Sequence, residues 1–487
     1  MVGTLIVGGG TAGCVLAARL SAEPGHSVLL LEAGAARAPA ELLDATRLPL
    51  APDAPWLWRY DATLTSGVAG QLVRGRVIGG SGAVNGGYFV RAIAADFAAW
   101  SGVLGGSASA WSFDAVLPAY RRMERDLDYG DRPGHGRSGP ITVRRVAHPA
   151  PLSAEFAAAA AALGFAAIAD LNALPGTEPS DGIGPVPCNV DRGRRVDTGS
   201  SYLLPALDRP DLTVAGATRV TRLRFHGTRA IGVDCVRDGR TETVYADRIV
   251  LCAGAVESAA LLLRSGIGNP EQLRALGIPV VHAAPVGEWF SDHPEIGVEY
   301  HRDAVGSAAD TVALEYVLEC GDIEMRPYTM SFTPGLQRLG VASMRPHASG
   351  ALRLRSADPA VPPVIDHRYL AAEHDRVHLR EAVALAREAL AKMPGTRQAD
   401  PMPSRAGRPA DRWLRANLGT SQHLSGTCRM GRADDERAVV DEYCRVHGVT
   451  GLSVADLSIV PVPLSRGPQA TAVLIAEQAA GMLDPPK

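Results

Sequence analysis

The stretch that decides the fold is TLIVGGGTAGCVLAARLSAE, residues 4–23, with HSVLLLEAG, residues 26–34, close behind it. "TLIVGGG" (4–10) is a short apolar run ending in glycines, which reads as a buried strand entering a tight turn. "AGCVLAARLSAE" (12–23) then spaces Val15, Leu16, Arg19 and Leu20 as on a helix. "HSVLLLEAG" reads as a second buried strand. Strand, glycine turn, helix and strand within 34 residues make a βαβ unit. Inside it Gly8, Gly10 and Gly13 spell G-x-G-x-x-G, with Thr11 and Ala12 opening the helix. Gly8 permits the tight turn, Gly10 lets backbone approach a pyrophosphate, and Gly13 lets helix pack on strand. The helix N-terminus adds free N–H groups and a positive dipole end. Glu32 ends the second strand and is expected to accept hydrogen bonds from an adenosine ribose. This motif alone leaves both NAD and FAD open.

The rest of the chain narrows the chemistry. At 487 residues, more than one domain is expected. Net charge is -3, with 49 basic and 52 acidic residues well mixed, so no nucleic-acid footprint is expected. Seven cysteines in this length suit a reducing compartment better than a disulfide framework. The start "MVGTLIVGGG" lacks the form of a signal peptide, and no long uncharged apolar run predicts a membrane span. A cytoplasmic protein is expected, with peripheral contact at the inner membrane face left open. Lys392 and Lys487 are the only lysines, and no GxxxxGK[ST] loop or G-x-S-x-G elbow occurs.

A second glycine-dense stretch, "RGRVIGGSGAVNGGYF" (74–89), places Gly79, Gly80, Ser81 and Asn85 where backbone suits a flat ring and a diphosphate. The stretch 35–74 reads as an irregular excursion. β patterns fill "LTVAGATRVTRLRF" (212–225), "AIGVDCVRDG" (230–239) and "TVYADRIVLCAGA" (243–255). Near the end, "SQHLSGTCRMG" (421–431) sets a serine, a histidine and a cysteine close together. His423, Cys428, Cys444 and His447 give H-x4-C-x15-C-x2-H, but zinc knuckles are usually short pairs, so no metal is expected. A buried core histidine is the ordinary alternative.

These stretches, with "AGAVESAALLLRSGIG" (253–268), "SDHP" (291–294) and "GLSVADLSIVPVPLSRGPQATAVLIAEQAA" (451–480), resemble, in order and spacing, the glucose-methanol-choline (GMC) family of FAD-dependent alcohol oxidoreductases. Within it, "GGSGAVNGGYF", "SDHPE", "EMRPYT", "TSQHLSGTCRMG" and "SRGPQATAV" look most like the GMC dehydrogenase encoded with mycofactocin biosynthesis systems. The resemblance implies an α/β fold: a Rossmann-like FAD-binding domain (1–36, 74–100, 190–290 and 418–487) interleaved with an α+β substrate-binding domain carrying an antiparallel sheet (101–189 and 291–417). Residues 37–73 would form a lid or excursion. It implies hydride transfer from an alcohol, mycofactocinol in the closest reading, to FAD, with His423 as proton acceptor and electrons passing to a respiratory or quinone-like acceptor. An oxygen-using oxidase on a small alcohol, or a flavoprotein without redox turnover, are the alternatives.

The family's second active-site residue, usually Asn or His, falls on Gly467, which has no side chain; Gln469 is the expected substitute. Val84 stands where some members attach FAD through a histidine, so non-covalent FAD is expected. Asp456 and its backbone are expected beside the ribityl and pyrophosphate, and Val220, Ala253 and Gly254 on the adenine side. Ala259 replaces a common proline.

Overall fold

The computed structural model describes residues 2–106, 109–302, 312–399, 404–405 and 408–483. The βαβ unit forms from β1 (Val2–Val7), α1 (Thr11–Leu20) and β2 (Val28–Leu31). The two strands pair in parallel, Thr4 against Val28 through Val7 against Leu31. Leu212–Ala215 adds to the far side of β2, also in parallel. On the other side of β1 lies the second half of the strand Arg240–Leu251, and Leu452–Val454 pairs beyond it. The first half of Arg240–Leu251 instead joins an antiparallel meander with Arg229–Arg237 and Thr218–His226. One strand thus belongs to two kinds of sheet. Its sequence explains this: the polar Thr241, Glu242 and Thr243 are exposed, whereas Ile249, Val250 and Leu251 are wholly buried. Only the apolar half suits a sheet covered on both faces.

The β run expected across 212–225 is broken. Gly216 passes so close to Ala36 that a Cβ there would sit 2.4 Å from the Ala36 nitrogen, and Ala217 takes a positive φ of 50°. The excursion 37–73 is also only half irregular. Most of its second half is a hairpin of β3 (Leu57–Thr65) and β4 (Val68–Gly75), turning at Ser66–Gly67. Tyr60, Ala62 and Leu64 alternate inward while Asp61 and Thr63 face out. Small and hydroxylic residues dilute that alternation in the sequence.

A second sheet, antiparallel, runs in the order Thr396–Gln398, Pro294–Arg302, Gln337–Ser343, Ile323–Pro327, Tyr316–Cys320 and Gly182–Pro185. The helices Pro151–Ala162 and Glu373–Ala391 cover it with Phe156, Leu379, Val383 and Ala386. The stretch 101–189, expected wholly on that side, divides. Its helix Phe113–Met123 packs on the helix Gln469–Leu483 and joins the core of the parallel sheet.

Candidate active site

Both glycine stretches and His423 line one cavity of about 550 Å³. Gly8 has φ +100°, and a Cβ there would lie 2.6 Å from the Cys252 carbonyl oxygen. Gly10 faces the second glycine loop, with the Gly80 Cα the nearest atom to a Cβ built there, at 3.7 Å. Gly13 is the close-packing point: its Cβ would stand 1.9 Å from the Gly8 oxygen. Helix α1 has no side-chain cap at Gly10 and no acidic residue in its first turn. Its N-terminus therefore stays open, and the dipole favours an anion there. These features fit a dinucleotide diphosphate.

Of the expected cofactor residues, Gly8, Gly10, Thr11, Ala12 and Glu32 line the cavity from the first motif, and Gly80, Ser81 and Asn85 from the second. Val220, Ala253, Gly254, Asp456 and Gln469 line it too. Gly13 and Gly79 shape the loops instead; the Gly79 N–H donates to the Gly9 carbonyl at 2.8 Å. Two of these carboxylates also brace the protein's own backbone. Glu32 accepts the Gly9 N–H on Oε2 and the Gly34 N–H on Oε1, each at 2.7 Å, so it braces the loop first. One further lone pair on each oxygen remains for a ribose hydroxyl. Asp456 turns into the start of the helix Gly254–Arg264, accepting from the Gly254 N–H and the Ser258 hydroxyl on Oδ2 and from the Ser458 N–H on Oδ1. What it holds at the cavity is backbone. Burial raises the pKa of both acids.

His423 sits beside a second histidine. Its Nδ1 lies 2.8 Å from Nδ1 of His293, and His293 Nε2 lies 2.9 Å from the Leu464 carbonyl oxygen. Burial lowers the pKa of both rings, His293 to about 4 and His423 well below its ordinary value, so both are neutral near pH 7. The proton positions then follow from valence. A carbonyl only accepts, so His293 Nε2 carries its hydrogen and His293 Nδ1 offers a lone pair. His423 Nδ1 must donate to it, which leaves His423 Nε2 without a proton. Asp292 holds both residues by backbone: its Oδ1 accepts the His293 N–H at 2.8 Å and the His423 N–H at 2.7 Å.

Gln469 does not complete this pair. Its amide donates to the Thr11 hydroxyl at 3.4 Å, and a Cβ on Gly82 would lie 2.8 Å from its nitrogen. In this arrangement it is tied to the phosphate loops while lining the same cavity as His423. The space above Gly467 is filled instead by Tyr88. A Cβ at 467 would sit 2.8 Å from both Cδ1 and Cε1 of that ring and 3.5 Å from His423 Cε1.

Behind Tyr88 stands a buried polar wall. The Tyr88 hydroxyl donates to Glu324 Oε2 at 2.8 Å, and Arg326 Nε donates to Glu324 Oε1. Arg326 Nη1 donates to Glu295 Oε2 at 2.7 Å and to the Ser421 hydroxyl at 2.8 Å. The Tyr328 hydroxyl reaches both Glu295 oxygens at 3.2 Å. Register builds this wall. Ala342 pairs with Glu295 on one neighbour and Glu324 on the other. A Cβ at Gly340 would lie 2.8 Å from Glu295 Oε1, so small residues on the middle strand make room for the charges. None of His293, Tyr88, Glu295, Glu324 or Arg326 was expected as a site residue. "SDHPE" and "EMRPYT" carried the signal, as charges alternating with apolar residues in a strand.

The zinc constellation is not assembled: His423 faces His293, whereas His447 Nε2 contacts the Gly431 oxygen at 3.1 Å. Among the described residues, Glu124, Asp126 and His135 come close enough to share an ion. There, however, Arg91 and Arg145 already supply cations to Glu124 and Asp126.

Residues 2–295 and 346–476 match the N- and C-terminal family models of GMC oxidoreductases. The chain is 44% identical to an uncharacterized GMC-type oxidoreductase in the thcA 5' region of Rhodococcus erythropolis, covering 98% of this chain and 97% of that one. It is 34% identical to mitochondrial choline dehydrogenase of Mus musculus, covering 98% and 89%. The crystal structure of pyridoxine 4-oxidase from Mesorbium loti superposes with a TM-score of 0.89 at 29% identity, covering 99% and 98%.

Proposed function

Because the chain belongs to the GMC oxidoreductase family, we propose that it is an FAD-dependent alcohol dehydrogenase whose proton acceptor is Nε2 of His423. It is an FAD-dependent oxidoreductase acting on CH–OH groups. The observation that carries the mechanism is the ordered chain from Leu464 through His293 to His423, which bares one imidazole nitrogen in the cavity shared with the glycine loops. FAD, when bound, supplies the hydride acceptor. The chain's own work is to take the hydroxyl proton. An alcohol releases hydride poorly until that proton leaves, and a neutral buried imidazole accepts it. Asp292, which accepts the His423 backbone N–H at 2.7 Å, holds the residue in place for that transfer. The Glu295 carboxylate is already satisfied by Arg326, Ser421 and Tyr328, so it is not free to pair with a cationic substrate such as choline. This favours a neutral alcohol. Mycofactocinol, oxidised with transfer to a respiratory or quinone-like acceptor, is the reading that the sequence resemblance favours. The match to pyridoxine 4-oxidase keeps direct use of oxygen as the second reading.

Val84 lines the cavity with an aliphatic side chain that forms no bond to a flavin, which supports non-covalent FAD. No helix among the described residues is long and apolar enough to cross a membrane. The test is an anaerobic titration of the yellow protein with candidate alcohols, mycofactocinol included. Bleaching of the flavin absorbance is expected with a neutral alcohol and none with choline. Bleaching by choline alone would overturn the reading. Stoichiometric peroxide in air, at the rate of turnover, would select the oxidase.

A further inference from the structure

Tyr88 occupies an unusual place. Its ring and the His423 imidazole both border the space above Gly467, where any side chain would collide with the Tyr88 ring. The ring is fixed from behind, because its hydroxyl donates to Glu324, which Arg326 holds in turn. Its phenol is neutral, since burial and then the neighbouring Glu324 push its pKa well up. What Tyr88 presents beside the base is therefore ring carbon, with its polar end consumed. Tyr328 and Phe332 continue the aromatic lining, packed edge to face at 5.0 Å, with Phe332 partly exposed at the surface.

We propose that Tyr88 is the specificity-determining residue of this site and selects neutral alcohols whose carbinol carbon is attached to an aromatic ring. The proposal rests on the alcohol-oxidising reading above and names its substrate class. Two arguments meet here. Sterically, a flat group beside the carbinol packs against the Tyr88 ring, whereas no amide or imidazole at 467 is available to hold a polar neighbour. Chemically, a site with a bare glycine at 467 beside its one proton acceptor gives limited help to the carbinol carbon as hydride leaves. An attached aromatic ring supplies that help itself by delocalising the developing positive charge. The balance is unchanged: the hydroxyl proton goes to His423 Nε2 and the hydride pair to bound FAD.

The experiment compares benzyl alcohol with cyclohexylmethanol, which differ in the ring alone. Binding is read in His423→Ala holoenzyme from perturbation of the flavin spectrum, where chemistry does not intervene. Flavin reduction is read by anaerobic stopped flow in the parent, Tyr88→Phe and Tyr88→Leu holoenzymes. Benzyl alcohol should bind about three- to tenfold more tightly, the range an aromatic pair contributes, and should reduce the flavin faster by a larger factor. Tyr88→Phe should keep both preferences and Tyr88→Leu should lose the binding preference while retaining FAD. Equal binding of the two alcohols, or an unchanged preference in Tyr88→Leu, would overturn the proposal. A binding preference without reduction by any alcohol would instead reject the dehydrogenase reading and leave the Tyr88 assignment standing.

Discussion

At the scale of single residues, the site depends on one bare nitrogen. His423→Ala should keep FAD, because the glycine loops are untouched, yet slow flavin reduction by about 10²–10⁴, the usual worth of a general base. Stopped-flow reduction of the variant checks this, and parental rates would refute the assignment. Cys428→Ser should leave that rate nearly unchanged. Cys428 is a buried thiol whose backbone N–H donates to the Ser458 carbonyl, and it takes no part in the cavity lining. Since burial depresses the His423 pKa, the base stays neutral on the acid side of its ordinary value of about 6.5. The reduction rate should accordingly remain level from pH 8 through 6, and a fall centred near 6.5 would contradict the geometry. His423 was legible because its motif is local. His293 was not, since 130 residues separate the two and no periodicity links them. The orientation of Gln469 was not legible for a related reason: its distance along the chain from Gly467 is fixed, but the turn into the last helix aims it at Thr11.

Whole elements carry the cofactor and set how much of the fold could be read. The β1–α1–β2 unit was legible end to end, because apolar strands, glycines and helical spacing agree within one short stretch. The hairpin of β3 and β4 was hidden by alanine, threonine and glycine at inward and outward positions alike. The polar wall was hidden because charged residues in a strand normally signal solvent, while here Glu324 and Arg326 are buried by pairing with each other and with Glu295. Gly10→Val tests the first element. Branched carbons at residue 10 would fill the gap between the two glycine loops, now 3.7 Å from a Cβ position to Gly80 Cα. The variant should be produced but emerge largely colourless; normal flavin content would place the diphosphate elsewhere.

Over the whole molecule, two buried histidines pull stability in opposite directions. His293 has a folded pKa of about 4 through burial, below its unfolded value, so the unfolded chain binds the proton first as pH falls. Stability is full above about 6.5 and declines from there to about 4, by up to about 3 kcal/mol. At His135 burial alone would lower the pKa, but hydrogen bonds to Asp126, Asp170 and Glu124 outweigh it and raise the value to about 10. That contribution is present below about 6.5 and is lost as pH rises toward 10. The melting temperature should therefore peak near neutrality, and His135→Gln should flatten the alkaline side. A wild-type melting temperature that climbs steadily to pH 10 would contradict this. The strand Arg240–Leu251, shared by two sheets, bears on the timing of biosynthesis. The nucleotide loop is finished by residue 34, but its sheet awaits 212–251 and closes only with Leu452–Val454. At about 5–20 residues per second, roughly 20–80 s separate those events on the ribosome. The outer edges of β1 and β2 stay open until 212–251 is made, and the edge of Arg240–Leu251 stays open for the rest of that interval. A chain ending before residue 452 should consequently accumulate as aggregate, while a full-length chain with an inactive site should remain soluble.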